Sequence, residues 1–309
     1  MDLEPIRERF SEFVSVLEPD RDEPEWWAGA PSVALGPDAR TYLAVRMREG
    51  QSPRGLRGYE VRLLASDDGM QFETIARLPR EDVPINGFER PSLVFDPASG
   101  LYRLYLCGPW PHEGVDDWCI LRLEDVADPA RLDPSTARAV LCASPPESQR
   151  DRSVRGWKDP FVWIEGGRWH MLVIGYPPER TYHFASEDGD HWRPLGDQPA
   201  FDMGGWHTYF TRPACVLPLG VGWLMVYEGS HPTWFDPAYN IATGLAWSAD
   251  LREWTDLTPH EPLLRSTTPG RYHTWRYSHW LWRDGHLWAY AEVARPNDTN
   301  ETRLFRVSP

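Results

Sequence analysis

Residues 156–163 read GWKDPFVW, and this stretch places an acidic residue directly before a proline. A residue that precedes proline is driven toward extended backbone, and proline cannot donate a hydrogen bond to a sheet. The stretch therefore predicts a strand at a sheet edge, opened by Asp159. Lys158 is the only lysine among 32 basic residues, and its compact ammonium differs from the planar fork of arginine. We interpret Lys158 and Asp159 as site residues; the structural alternative is an ion pair that helps to close the fold.

Two short signals recur along the chain, and internal repeats decide the fold class when they are present. The first signal is a proline followed by apolar residues, at Pro31, Pro91, Pro160 and Pro213, in steps of 60, 69 and 53 residues. The second is a serine, an acidic turn and an aromatic residue, starting at Ser66, Ser186 and Ser248. Between them lie alternating stretches rich in tyrosine, tryptophan, leucine and valine, which is typical of β-strands. Both signals indicate a period of about sixty residues.

A repeat of this length accommodates four short strands joined by hairpins, which is one blade of a β-propeller. We therefore predict an all-β fold, a five-bladed β-propeller with four antiparallel strands per blade, in a single domain over residues 1–309. Residues 1–20 form an N-terminal segment that is predicted to be a short helix or a strand that closes the ring. A β-sandwich is the rival fold, but it does not explain the regular period.

The charge and composition of the chain limit the classes of molecule that it is expected to bind. The formal net charge of −14 repels a phosphate backbone and an anionic membrane, so neither nucleic acid nor a membrane is expected as a partner. Residues 1–17 lack the apolar core of a signal peptide, which leads us to expect a cytoplasmic protein. The four cysteines show no CxxC spacing and are predicted to be buried thiols rather than disulfides or zinc ligands. No cofactor or metal is predicted, and the oligomeric state is left open.

Several motifs carry a resemblance to a known superfamily. They are FERP at 88–91, KDP at 158–160, TRP at 211–213, YEG at 227–229 and GLAWSADL at 244–251. Together with the repeat, they resemble the five-bladed propeller glycosidases, the superfamily that includes glycoside hydrolase families 32, 43 and 130. The resemblance implies a triad of carboxylates from successive blades: a base or nucleophile, an aspartate that stabilises the transition state, and an acid. The KDP motif is similar to the Arg-Asp-Pro motif of invertase-like members, which gives Asp159 the middle role.

The first blade departs from this superfamily. Where members commonly carry Asp-Pro, this chain has Ala30 before Pro31, so no catalytic base is carried over to that position. Three alternatives remain open. Either Glu89 or Glu228 acts as the catalytic base instead, or the set of catalytic residues starts one blade later, or glycosidic chemistry has been lost.

Glycoside hydrolysis requires two carboxyl groups, one of which must remain protonated. The catalytic candidates are Asp159, Glu228 and Glu89. Glu228 follows the apolar run 223–227 and is the candidate general acid, whereas Glu89 is the candidate base. The structural alternatives are a glutamate that caps a turn before Gly229 and a Glu-Arg ion pair at a strand start.

Charged and aromatic residues close to the motifs are candidates for binding substrate. They are Lys158, Arg90, Arg212, Trp27, His207, Trp206, His273, Trp275 and Arg276. Guanidinium groups suit a carboxylate or phosphate on the substrate, or else neutralise the acids named above. Tryptophan rings stack on the apolar faces of sugars, or else pack between blades. The histidines match no metal-binding spacing, so polar contacts to substrate are preferred over a metal site.

The expected function is that of a carbohydrate-active enzyme, a hydrolase acting on a small glycoside or oligosaccharide through carboxylates in the central channel. One alternative is a glycoside phosphorylase. Another is a repurposed propeller that performs non-hydrolytic acid/base chemistry, such as a cyclisation or an elimination, in a biosynthetic pathway. A third is a sugar-binding module without catalysis. Paired carboxyl groups favour the hydrolase, one isolated acid in a closed apolar pocket favours the repurposed enzyme, and a shallow aromatic groove favours the binding module.

Overall fold

The computed structural model describes residues 3–50, 58–112, 115–143, 154–177, 179–235 and 240–307. Over these residues the regular secondary structure is mainly β-strand, with one short α-helix, α1 (Glu4–Glu8). The strands, in chain order, are β1 (Val14–Leu17), β2 (Trp27–Leu35), β3 (Thr41–Arg48), β4 (Gly58–Ser66), β5 (Glu73–Pro79), β6 (Ser92–Asp96), β7 (Leu101–His112), β8 (Val115–Arg122), β9 (Arg138–Leu141), β10 (Gly156–Glu165), β11 (Arg168–Tyr176), β12 (Arg180–Ser186), β13 (Arg193–Pro194), β14 (Phe210–Pro218), β15 (Trp223–Ser230), β16 (Ala242–Ser248), β17 (Thr255–Asp256), β18 (Trp275–Arg283), β19 (His286–Ala294) and β20 (Asn300–Val307). Short 3-10 helices cover Arg80–Asp82, Pro129–Arg131 and Pro134–Thr136. No helix in these ranges is long and apolar enough to cross a bilayer.

The strands form antiparallel sheets whose order follows the sequence. Three sheets have four strands each: β6 to β9, β10 to β13 and β14 to β17. The remaining strands form one larger sheet, in which β2 to β5 are joined to β18, β19 and β20 by a parallel pairing of Trp27 with Asn300. Strand β1 pairs antiparallel with β20. The N-terminal segment thus contributes both a short helix and a strand added to the last set.

The serine and acidic-turn motif forms the same hairpin in three sets of strands. In the turn between β4 and β5, the amide of Gly69 donates to Ser66 Oγ at 2.8 Å, and Asp68 Oδ1 accepts from the amides of residues 70 and 71. The turns built on Ser186 and Ser248 have the corresponding hydrogen bonds. Between β8 and β9 the turn is replaced by a longer connection with two 3-10 helices. The repeat found in the sequence is therefore a structural repeat.

Apolar side chains hold neighbouring sets of strands together. Leu63 of β4 and Leu104 of β7 share one buried cluster, and Met171 of β11 shares another with Tyr105 of β7. The first strands of the sets contact one another in the order β2, β6, β10, β14 and β18, and β18 contacts β2 in turn. The starts of these strands are brought together as a result, although they lie far apart in the sequence.

Stretch 156–163 lies in β10, an edge strand of its sheet, but Asp159 does not open this strand as predicted. It lies three residues inside, at a bulge where the register shifts between Lys158 and Phe161, and its φ angle is +53°. Ala30 in β2 and Tyr277 in β18 lie at comparable bulges with φ of +53° and +52°. Positive φ is uncommon for residues other than glycine and is concentrated at functional sites. Three first strands therefore carry the same distortion at corresponding positions.

The prediction that all four cysteines are buried thiols was wrong for two of them. Cys107 and Cys215 are buried thiols, as expected, whereas Cys119 and Cys142 form a disulfide. Pairing of Ile120 with Leu141 brings the ends of β8 and β9 together, and the Cα atoms of the two half-cystines lie 4.5 Å apart. The prediction failed because sequence spacing alone does not show which strands become neighbours.

Candidate functional site

Asp159 is the centre of a group of buried polar side chains at the start of the first strands. It is 2% exposed. Its Oδ1 accepts a hydrogen bond from the amide of Arg90 at 3.1 Å, and its Oδ2 accepts one from the phenol of Tyr277 at 3.2 Å. Its own amide donates to the sulfur of Cys107 at 3.3 Å. Residues from two other sets of strands therefore hold Asp159 in place.

Glu228 lies in β15 and is fully buried. Its Oε1 accepts a hydrogen bond from the backbone amide of Tyr277, and its Oε2 has no hydrogen-bond partner among the described residues. Burial raises the pKa of Glu228 to about 7, although the nearby guanidinium of Arg90 acts in the opposite direction. A carboxyl group in these surroundings holds a proton near neutrality, as a general acid requires.

Glu89 belongs to a chain of buried ion pairs. Arg46, on β3, donates to Glu89 and, at 3.2 Å, to Oε2 of Glu292. Arg276 donates through two nitrogens to Oε1 of Glu292, at 2.9 and 2.7 Å. Burial would raise the pKa of Glu292, but Arg276 and Arg46 hold it below its ordinary value. The guanidinium groups thus balance carboxylates that would otherwise be buried and uncompensated.

Glu292 also contacts the backbone of β2. The amide of Ala30 donates to Oε2 of Glu292 at 2.9 Å. A β-carbon at the neighbouring Gly29 would overlap the Glu292 carboxylate. The carboxylate of Glu292 in β19 therefore lies directly against residues 29 and 30 of β2.

The guanidinium group of Arg90 donates hydrogen bonds to backbone carbonyl groups rather than to acidic side chains. It is 1% exposed and donates to the carbonyl oxygens of Pro213 and Ala214, at 3.1 and 2.5 Å. These bonds tie the start of the second set of strands to β14. Burial lowers the pKa of Arg90, and its proximity to Glu228 and Asp159 opposes this shift.

Three charged side chains form the more accessible edge of the group. Lys158 and Glu179 are each 16% exposed and Arg212 is 9% exposed. Arg212 donates to Glu179 Oε2 through Nε at 2.6 Å, whereas Lys158 Nζ lies 4.0 Å from Glu179 Oε1. Burial alone would lower the pKa of Lys158, but Glu179 raises it. Lys158 therefore carries a positive charge at neutral pH. We refer to Lys158, Glu179 and Arg212 as the rim.

Other predicted binding residues contact different parts of the protein. Trp275 packs against Phe305, with ring centroids 4.4 Å apart, and lines a cavity of about 520 Å³ beside Arg7. Trp206 stacks on Tyr227 and donates to the carbonyl of Thr258 at 2.7 Å.

The two histidines among these residues also have their own environments. His207 is 1% exposed, and its Nε2 lies 3.1 Å from Asp256. His273 lines a separate cavity of about 240 Å³ with Trp234 and Arg265. The structure thus does not bring Trp206, His207, His273 or Trp275 into contact with the carboxyl group of Asp159 or Glu228.

Trp27 is the aromatic candidate that adjoins the buried group. Its ring lies 4.7 Å from the guanidinium carbon of Arg276 and 3.8 Å from that of Arg48. It is 2% exposed and also packs edge to face against Tyr272, with ring centroids 5.9 Å apart. Trp27 accordingly supports the position of Arg276.

Four residues of the group were missed in the sequence: Arg46, Glu179, Tyr277 and Glu292. One signal could have revealed Glu292. Arg276 and Glu292 are paired across β18 and β19 and lie 16 residues apart. Arg212 and Glu228 are paired across β14 and β15 with the same spacing. Aligning the repeats on these arginines places the two glutamates at the same position.

The carboxyl and guanidinium side chains of this group are suited to proton transfer and to the binding of polar groups. The described residues contain no group of three or more histidine, cysteine or acidic side chains placed to hold a metal ion. They do contain a buried carboxyl group with a raised pKa, a second carboxyl group with fixed donors, and guanidinium groups close to both. Such a site can donate a proton to a leaving oxygen and stabilise positive charge on the substrate.

Comparison with known proteins shows similarity of fold. No family model matches the chain, and no curated protein matches it. Among solved structures, it is similar to a protein of GH130, described as a family of mannoside phosphorylases that contains hydrolases targeting β-1,2-mannosidic linkages in Candida mannan (16% identity, TM-score 0.67, 97% of this chain and 94% of that chain).

Two further families share the fold. A GH32 β-fructofuranosidase of Bombyx mori has 12% identity and a TM-score of 0.65, over 99% of this chain and 65% of that chain. A GH43 protein of Bacillus licheniformis has 14% identity and a TM-score of 0.63, over 95% of this chain and 53% of that chain. The resemblance to families 32, 43 and 130 inferred from the sequence is confirmed at the level of fold.

Proposed function

We propose that this chain is a single five-bladed β-propeller over residues 1–309 and that it hydrolyses a small glycoside or oligosaccharide. The blades are the four-stranded sets that begin with β2, β6, β10, β14 and β18, with β1 completing the last. The cyclic contacts of these five first strands support this count. The similar folds of glycoside hydrolases and phosphorylases support a substrate of the carbohydrate class.

The observation that carries the proposal is the link through Tyr277 between Glu228 and Asp159. The backbone of Tyr277 donates to Glu228, and its phenol donates to Asp159. Two carboxyl groups from different blades are thereby fixed within reach of one residue. They differ in environment: Glu228 is fully buried, and one of its oxygens has no partner among the residues that the structure describes, whereas both oxygens of Asp159 accept hydrogen bonds. Such a difference is expected where one carboxyl group acts as an acid and another stabilises charge.

In the reaction, Glu228 donates its proton to the glycosidic oxygen as the bond from that oxygen to the anomeric carbon breaks. Glu89 removes a proton from the water molecule whose oxygen forms the new bond to that carbon. Asp159 stabilises the positive charge that develops on the sugar ring. Arg46, which donates to Glu89, keeps the base ionised.

A second candidate function is non-hydrolytic acid/base chemistry, and the position of Ala30 favours it. The first-blade aspartate is missing, and the amide of Ala30 is bonded to Glu292, which Arg276 and Arg46 also hold. Because Glu292 accepts hydrogen bonds from all of these donors, it is a weak base. If Glu89 does not act as the base, Glu228 and Asp159 remain as a proton donor and an anion suited to an elimination or a cyclisation.

The test is turnover of a panel of aryl furanosides and pyranosides, with and without inorganic phosphate, by wild type and Asp159→Asn. Hydrolysis is expected without phosphate, and kcat/KM should fall by about 10²–10³ in the variant because a stabilising charge is lost. Asp67→Asn is the matched control, since the Asp67 side chain is 88% exposed and pairs with Arg40 at the surface. Cleavage only with phosphate would replace hydrolysis by phosphorolysis, and no cleavage of any glycoside would favour the non-hydrolytic function.

A further inference from the structure

The ammonium of Lys158 has no hydrogen-bond acceptor among the described residues. Its nearest charged neighbour there is Glu179, whose Oε1 lies 4.0 Å away. The remaining contacts of Nζ are with aromatic rings, 4.4 Å from the centroid of Trp118 and 5.9 Å from that of Tyr176. A lysine ammonium has three donors, and a partly buried one normally uses them. The position of Lys158 is therefore suited to an acceptor that a ligand would bring.

The acids around Lys158 already have cationic or hydrogen-bonding partners. Glu179 is engaged by Arg212, and Glu89 by Arg46. Asp159 accepts from Arg90 and Tyr277. No neighbouring acid in the described ranges is thus left to form a close pair with Lys158.

The charges of the buried group and its rim do not balance when Glu228 is protonated. The five cations are Arg46, Arg90, Lys158, Arg212 and Arg276, and the five acids are Glu89, Asp159, Glu179, Glu228 and Glu292. Protonation of Glu228 leaves one positive charge in excess among these residues. A ligand with a single negative charge would neutralise the site.

Lys158 is the cation of this group that is most accessible to a ligand. Lys158 is 16% exposed, whereas Arg46 and Arg276 are each 1% exposed. Arg212 is also at the rim, but its guanidinium is already bonded to Glu179 through two nitrogens, at 2.6 and 2.5 Å. Because that fork is occupied, the rim offers a single ammonium rather than the several convergent donors that suit a phosphate group.

We propose that Lys158 binds the carboxylate of an acidic sugar, so that the substrate is a glycoside of a uronic acid. This inference rests on the proposed carbohydrate substrate and specifies its class. The carboxylate would accept hydrogen bonds from the Lys158 ammonium at the rim, and the glycosidic oxygen would lie deeper, toward Glu228. Recognition of this kind rejects neutral sugars, since these would leave the ammonium without an acceptor.

The experiment measures equilibrium binding by calorimetry for D-glucuronate and D-galacturonate, for D-glucose and D-galactose as neutral counterparts, and for inorganic phosphate. Wild-type protein is expected to bind at least one uronate and neither neutral sugar. Lys158→Gln should weaken uronate binding at least about tenfold, because a hydrogen bond to a charged group is lost. Lys158→Arg keeps the charge and should retain binding. Arg131→Gln removes a unit charge from an exposed arginine between β8 and β9 and should bind as wild type does.

Several results would overturn the inference: equal binding of neutral and acidic sugars, unchanged affinity of a folded Lys158→Gln variant, binding of phosphate alone, or no binding of either uronate. Binding is measured without turnover, so it is separable from the proposed function. Cleavage of neutral aryl glycosides without uronate binding would retain the hydrolase and reject the acidic substrate. Uronate binding without cleavage of aryl uronides would retain the subsite and reject the hydrolase.

Discussion

The phenol oxygen of Tyr277 lies 3.2 Å from Oδ2 of Asp159 and donates a hydrogen bond to it. The backbone amide of the same tyrosine donates to Glu228. Tyr277 lies at the bulge of β18 with a φ of +52°, and the guanidinium groups of Arg46 and Arg276 lie 5.4 and 4.8 Å from the centroid of its ring. Tyr277 therefore positions both carboxyl groups on which the proposed chemistry depends.

Tyr277→Phe should lower kcat/KM about tenfold or more, because a hydrogen bond to a carboxylate contributes about 1.5–3 kcal/mol. The substitution leaves the backbone donor to Glu228 in place, so only the contact with Asp159 is removed. The control is Tyr42→Phe, which removes a similar phenol bond, at 2.9 Å, to Asp38. We expect the control to leave kcat/KM unchanged. Equal kinetics in the two variants would show that the contact between Tyr277 and Asp159 has no role in turnover.

Glu228→Gln should stabilise the protein increasingly as pH rises from about 4.5 to about 7. The folded pKa of about 7 lies above the ordinary value of 4.5, so the folded state binds more protons than the unfolded state in this range, and wild type loses stability as pH increases. The loss is about 1.4 kcal/mol per pH unit. Urea denaturation of both proteins at pH 4.5 and pH 8 measures it.

The control for this series is Glu187→Gln, since the Glu187 side chain is 82% exposed and pairs with Arg168 at the surface. Its difference from wild type should be the same at both values of pH. If the difference between Glu228→Gln and wild type were also independent of pH, Glu228 would not hold its proton near neutrality.

Three buried or partly buried histidines should make the protein sensitive to acid. Burial lowers the pKa of His170 to about 4 and those of His183 and His279 to about 3. The unfolded chain binds protons at these residues below about pH 6.5, whereas the folded protein does not, so stability falls as pH decreases from about 6.5 toward 4. Each histidine contributes about 1.4 kcal/mol per pH unit.

His279→Gln tests this sensitivity, because glutamine can still accept the hydrogen bond that the amide of Val33 donates to His279 Nδ1 at 3.0 Å. The dependence of unfolding free energy on pH between 6.5 and 4 should decrease by the contribution of one histidine. His260→Gln, at an exposed side chain, should keep the wild-type slope. Identical slopes in all three proteins would contradict the assignment.

Arg46→Met should destabilise the fold by about 3–5 kcal/mol, because Glu89 and Glu292 would both lose a buried cationic partner. Arg40→Met is the matched control. Arg40 pairs with Asp67 and Glu73 at the surface, where an ion pair contributes little to stability. The midpoints of urea unfolding compare the two, and a loss of similar size in both would show that the buried pairs contribute no more than surface pairs.

The sequence predicted the repeat and the edge position of β10, because prolines and turn residues act locally. The sequence did not predict which of the residues adjacent to each motif have side chains that contact the buried polar group around Asp159. Successive side chains alternate across a strand, so Arg276 reaches Glu292 while adjacent Trp275 packs against Phe305. Proximity to a motif in sequence was therefore a poor guide to the tryptophans and histidines.

Residues of the second strands were missed for a different reason. Arg46 and Glu292 lie in alternating stretches where charged side chains normally face water. Their burial depends on β2 and β18 meeting at the start of the first and last sets, together with the absence of a side chain at Gly29. Such contacts join residues 246 positions apart and leave no local signal.

The most direct test of the central claim is the leaving-group dependence of Glu228→Gln, measured as kcat/KM on the phenyl and 2,4-dinitrophenyl glycosides of a sugar that wild type hydrolyses. Departure of phenolate requires a proton, whereas departure of dinitrophenolate does not. If Glu228 is the general acid, the variant should lose about 10²–10⁴ in kcat/KM on the phenyl glycoside and less than about tenfold on the dinitrophenyl glycoside. Equal losses on the two substrates, or no loss on either, would contradict the role of Glu228.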